Sequence, residues 1–125
     1  MPRILVAEDE VVICLQLKKW LRKMGYLPVG QAVTGREALK MAKELRPDVI
    51  LMDVGMPGDL DGIAAAKIIT QELNIPIIFV TGYTKDQVSE KTGSIAPVRH
   101  IDKPFSYLDV KNAIEVALAV EPARG

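Results

Sequence analysis

Short, unbroken apolar runs alternate along the chain with longer stretches in which apolar residues recur every three or four positions. Ile4-Leu5-Val6-Ala7, Val49-Ile50-Leu51-Met52 and Ile77-Ile78-Phe79-Val80 have strand length and are apolar throughout. Each ends in charges or turn residues, and this reads as strands buried on both faces. Leu27–Ala32 and Val98–Ile101 complete five strand candidates, each followed by a helical stretch. Such alternation predicts βα units around a parallel sheet. Pro28 cannot donate a ladder hydrogen bond, which sends the second strand to an edge. The doubly wound order 2-1-3-4-5 meets that requirement and sets the first and third strands side by side.

The helices are bounded by residue chemistry. Ile13, Leu17, Trp20, Leu21 and Met24 predict a first helix from about Glu10 to Met24, stopped by Gly25, with Trp20 in the core. A second opens on the capping box Thr34-Gly35-Arg36-Glu37 and stops before Pro47. A third covers roughly Gly62 to Leu73, with Ile63, Ala66, Ile69 and Leu73 inward. A short fourth is expected after Thr84-Lys85-Asp86-Gln87, limited by Gly93 and Pro97. Ser106 caps a fifth, with Leu108, Ile114, Ala117 and Leu118 as its apolar face. One domain, residues 1–120, accounts for these units, and 121–125 reads as a fraying terminus or the start of a linker.

Composition narrows the class. A chain of 125 residues is long enough for one core that buries roughly two-thirds of the unfolded surface. Sixteen basic residues balance sixteen acidic ones, so no basic field exists to hold nucleic acid directly. Apolar runs fall far short of the ~20 residues that span a bilayer, and no membrane insertion is expected. Cys14 is the only cysteine and reads as a small, semi-buried helix residue. Without an internal disulfide, a cytoplasmic location is the expectation.

The strand ends carry the candidate chemistry. In the expected order, Glu8-Asp9 after the first strand faces Asp53 after the third, with Thr81-Gly82 and Asp102-Lys103-Pro104 following the fourth and fifth. Crowded carboxylates repel one another unless a cation is present, and a hard oxygen-ligated ion such as Mg²⁺ fits. Asp9 and Asp53 are candidate direct ligands, Glu8 a ligand directly or through water, and the Gly55 carbonyl a further oxygen. Asp53 is also a candidate nucleophile for phosphoryl transfer, with Lys103 and Thr81 cradling phosphoryl oxygens. Taken singly, an acid after a strand, a Thr-Gly or a Lys-Pro is an ordinary turn feature. Their arrival at the ends of four strands, in this order, carries the argument.

These residues resemble the receiver domains of two-component response regulators over nearly the whole chain. Glu8-Asp9 matches the family's acidic pair, Asp53 its phosphoacceptor, Thr81 its hydroxyl position and Lys103-Pro104-Phe105 its Lys-Pro-Phe segment. The resemblance implies a flavodoxin-like fold, Mg²⁺ dependence and phosphoryl transfer from a histidine kinase or phosphotransfer protein. It further implies a downstream output domain or protein, and it leaves room for a homodimer. Phosphorylation is expected to draw Thr81 and Lys103 inward and to alter the surface around the fourth helix, fifth strand and fifth helix. Turnover is limited to self-phosphorylation and self-dephosphorylation.

Two departures stand out. The loop Met56-Pro57-Gly58-Asp59-Leu60 looks one residue longer than in many receivers. His100 stands where many carry a Tyr or Phe switch, and it reads either as a partly exposed, hydrogen-bonded strand residue or as a switch adding pH dependence. Tyr83 reads as an ordinary loop aromatic or a control on water access to an acyl phosphate. Val11 and Leu15 read mainly as flank packing, or as a patch for a partner helix. An aspartate-nucleophile phosphatase would want a carboxylate where Gly55 stands, and a receiver-like module deaf to phosphate would not need Glu8, Asp9, Asp53, Thr81 and Lys103 together.

Overall fold

The computed structural model describes residues 1–82 and 99–119. The expected fourth helix, with Thr84, Gly93 and Pro97, lies outside the described residues, as do Tyr83 and the tail 121–125. The described chain runs β1 (Arg3–Ala7), α1 (Val11–Lys23), β2 (Leu27–Ala32), α2 (Gly35–Leu45), β3 (Val49–Met52), α3 (Gly62–Leu73), β4 (Ile77–Thr81), β5 (Arg99–Asp102) and a C-terminal helix (Tyr107–Ala119). The five strands form one sheet in the order β2-β1-β3-β4-β5, all neighbours parallel. This is the flavodoxin-like arrangement.

Alternation along the central strands divides the core in two. Leu5, Ala7, Ile50, Met52 and Phe79 pack with α2 and α3, while Ile4, Val6, Val49, Leu51, Ile78 and Val80 pack with α1 and the C-terminal helix. Both faces are covered, so these strands tolerate no polar residue until they end. On β2 the register with β1 slips between Ile4 and Leu5, passing over Val29, next to Pro28 on the edge. A bulge beside the residue that cannot donate is the local answer to that proline.

Helix caps follow the sequence closely. Glu37 N–H donates to Thr34 Oγ1 at 3.1 Å while Glu37 Oε1 accepts from Val33 N–H at 2.8 Å. Ser106 and Asp109 exchange side-chain-to-backbone bonds of 2.9 and 3.1 Å ahead of the C-terminal helix. Asp61 caps α3 through Ala64 N–H at 2.8 Å. The apolar face of the last helix needs correction: Val110, Ala113, Ile114 and Ala117 are buried, whereas Leu108 is exposed. Leu108 lies two residues, or about 200° of helical turn, from Val110 and so leaves the stripe. Cys14 is fully buried, more so than expected, and Val11 and Leu15 are exposed rather than packed. Trp20 is partly buried, with edge-on ring contacts to Phe105 and Tyr107 at 5.8 Å.

Candidate metal and phosphoryl site

The parallel ladders extend one step past β1 and β3. Glu8 N–H donates to the Ala32 carbonyl and Asp53 N–H to the Ala7 carbonyl, both at 2.9 Å. The two acids therefore leave neighbouring strands on fixed backbone, and both are buried, at 2% and 7% exposure. Thr81 ends β4 and is also buried. Its carbonyl accepts from Lys103 N–H at 3.0 Å, which fixes the start of the segment after β5; the Lys103–Pro104 peptide is cis.

Lys103 Nζ lies 2.8 Å from Glu8 Oε1, 3.3 Å from Asp53 Oδ2 and 3.4 Å from Glu10 Oε1. One ammonium thus faces three carboxylates. The Glu8 contact is the shortest of the three, and Glu8 is the most buried of these carboxylates. Burial pushes the Glu8 carboxyl up to about 7, opposed by the hydrogen-bonding partners Lys103 and Glu10 and assisted by the Asp53 charge. Burial works against the Lys103 ammonium, but Glu8 and Asp53 outweigh it and its pKa is raised. Asp53 Oδ1 accepts from Gly55 N–H at 3.1 Å, which orients the carboxylate with Oδ2 toward the lysine.

The expected residues are not all in one cluster. Ligand oxygens of Glu8, Glu10 and Asp53 lie within 4.8 Å of one another, whereas Asp9 is exposed and outside that group. Glu10 was missed as a site residue. It occupies the N-cap position of α1 but makes no side-chain capping bond, and it meets Lys103 instead. The available signal was its position, the first turn of a helix that starts on this sheet edge. Gly55 reaches the site through its amide.

His100 pairs in register with Phe79; the residue is partly exposed, as expected, with most of that exposure outside its side chain, which is 5% exposed. Nε2 is 3.0 Å from Asp102 Oδ1. Asp102, the one charged partner of the ring among the described residues, is itself exposed.

The donor set fits a hard divalent ion: three carboxylates offering oxygen ligands and, among the described residues, one ammonium facing them. Among the described residues no helix is long and apolar enough to cross a membrane.

Residues 4–115 match the family described as the response regulator receiver domain. The transcriptional regulatory protein PdtaR of Mycobacterium tuberculosis is 38% identical over 94% of this chain and 57% of its own length. The chain therefore spans little more than half of that relative. The chemotaxis protein CheY of Thermotoga maritima is 33% identical over 90% of this chain and 93% of its own. The crystal structure of the response regulator domain of Thermotoga maritima CheB superposes with a TM-score of 0.87 at 30% identity, covering 98% of this chain and 99% of that one. Fold, strand order and extent of match agree, and the chain belongs to the response regulator receiver domain family.

Proposed function

We propose that Asp53 is the phosphoacceptor and that Mg²⁺ held at the carboxylate cluster is required for the transfer. The observation that carries the reading is Asp53 itself, a buried carboxylate at the end of a central strand with Oδ1 held by Gly55 and Oδ2 facing Lys103 at 3.3 Å. In the reaction Asp53 Oδ2 forms a bond to phosphorus while the bond from phosphorus to the donor's leaving atom breaks, the electron pair departing with the donor. Glu8 and Asp53 would hold the metal, joined by Glu10, by Asp9 on rearrangement of its exposed side chain, and by the Gly55 carbonyl. When bound, Mg²⁺ neutralises charge on the phosphoryl oxygens.

Transfer turns Asp53 into a neutral acyl group bearing a dianionic phosphate. Lys103 then follows the charge from the carboxylates to a phosphoryl oxygen, and the Thr81 hydroxyl donates to another. Both residues connect the site to β5, so their movement reaches the face formed by β5, the C-terminal helix and the intervening segment. The domain is a switch and not an enzyme acting on a separate substrate. Its donor is a histidine kinase or phosphotransfer protein, and its receiver is an output domain or protein. Exposed Val11, Val12 and Leu15 beside Glu10 support docking of an apolar helix there.

Intact-mass spectrometry after incubation with phosphoramidate tests the assignment. One phosphoryl addition is expected with Mg²⁺, and none without metal or in Asp53→Asn. Equal modification of Asp53→Asn would overturn it.

A further inference from the structure

The loop that leaves Asp53 is packed from two sides. From inside, Val54 and Met56 are buried in the core shared with α2 and α3. At its far end, Gly62 abuts the Asp53 carbonyl so closely that a Cβ there would collide with it. On the outward side the loop rests on the first turn of α2. A Cβ on Gly35 would collide with the Leu60 carbonyl, and one on Gly58, at φ 108°, would touch the Thr34 side chain at 3.7 Å. Across this seam Arg36 grips Asp59 with Nε 2.9 Å from Oδ1 and Nη2 2.8 Å from Oδ2. The fork geometry holds the carboxylate in plane, which a single ammonium contact would not.

We propose that Arg36 and Asp59 are positioning residues that strap the acceptor loop to α2 and thereby set the Gly55 backbone against Asp53. The inference rests on the Mg²⁺-dependent reading of the site. Gly55 and Gly58 leave the loop backbone with wide conformational freedom, so its place depends on anchors to either side. Residues past Gly58 have no anchor in the core until Asp61 caps α3, apart from the partly buried Leu60, and the strap falls in that interval. Because the Gly55 amide donates to Asp53 Oδ1 at 3.1 Å, a shift of the loop changes the orientation of the acceptor carboxylate and the metal oxygens together. The pair itself is highly exposed, 68% and 70%, so its effect is a moderate adjustment of the site and not a condition for folding.

The test follows the Gly55 amide resonance and Mg²⁺ affinity by NMR titration in the wild type, R36A, D59A, R36A/D59A and the charge-swapped R36D/D59R. Each single variant is expected to move the Gly55 amide in the metal-free protein and to weaken Mg²⁺ binding about two- to fivefold. The double alanine variant should be no worse than either single one, and the swap should recover most of the affinity. R36K, which keeps charge without the fork, should fall between wild type and R36A. Phosphorylation rate at saturating Mg²⁺ should stay within about twofold of wild type, since the strap acts on position and touches no reacting atom. Wild-type Mg²⁺ affinity and an unmoved Gly55 amide in R36A would overturn the proposal, as would a swap no better than the single variants. Absence of Mg²⁺ binding in the wild type would instead strike the proposed function, and the metal-free Gly55 shift would still decide the strap.

Discussion

At the amino end of the sheet, Arg3 and Asp48 spend their polar groups on nearby backbone. Asp48 Oδ2 accepts from Arg3 N–H at 2.7 Å, Asp48 N–H returns to the Arg3 carbonyl at 2.7 Å, and the Arg3 guanidinium reaches the carbonyls of Leu45 and Arg46 at the end of α2. At the carboxyl end, Glu8, Glu10 and Asp53 converge on one lysine. Both ends contain charge. At the amino end it closes a helix terminus and connects it to β1, whereas at the carboxyl end three carboxylates share one ammonium among the described residues, and the surplus negative charge suits a cation. The balance of the charges, more than their number, separates a lock from a site.

Asp53→Asn breaks the comparison most severely. It should abolish phosphoryl uptake by intact mass and weaken Mg²⁺ at least about tenfold in a calorimetric titration, the scale on which ligand-shell changes act.

Glu8→Gln comes next. In the wild type Glu8 must lose a proton to serve a cation, so Mg²⁺ affinity should rise with pH and level off above about 7, with proton release in the transition region. Glu8→Gln should bind about tenfold more weakly at pH 8 and lose that pH dependence. The stability effect has the opposite sign. A folded-state value raised from 4.5 to about 7 means that the folded form holds the extra proton, so wild-type metal-free stability falls relative to Glu8→Gln as pH rises between those values. Thermal melts at pH 5 and pH 8 read this difference.

Arg3→Ala sharpens the contrast from the other end. Loss of charge-assisted bonds to helix carbonyls should cost about 1–2 kcal/mol in denaturant unfolding and leave Mg²⁺ affinity unchanged. A changed affinity would show that the two ends are not separable. His100→Phe is expected to have the smallest effect on the metal site, within about twofold on Mg²⁺ affinity, because the ring's charged partner among the described residues is Asp102 and not a carboxylate of the cluster.

The fold was legible because Pro28, the continuous apolar strands and the capping boxes at Thr34 and Ser106 each exclude alternatives locally. The candidate site was legible wherever a strand end fixes direction: Glu8, Asp53, Thr81 and Lys103 all arrive at the same edge. Legibility failed where direction depends on the loop. Asp9 and Glu10 are adjacent in sequence, and only the entry geometry of α1 decides that Glu10 meets Lys103. Leu108 was misplaced because a helix can begin a turn before its buried stripe. The strap was invisible for a related reason, since Arg36 and Asp59 are far apart in sequence and each looks like a solvated surface charge.

The most direct test of the account is a two-dimensional amide spectrum recorded without metal, with Mg²⁺, and with Mg²⁺ and beryllofluoride as a phosphoryl mimic. The account predicts shifts at Glu8–Glu10, Asp53–Gly55, Thr81 and Lys103, spreading into β5 with the mimic, while Arg3 and Asp48 remain in place. Equal shifts at both ends of the sheet, or none at the carboxyl end, would contradict it.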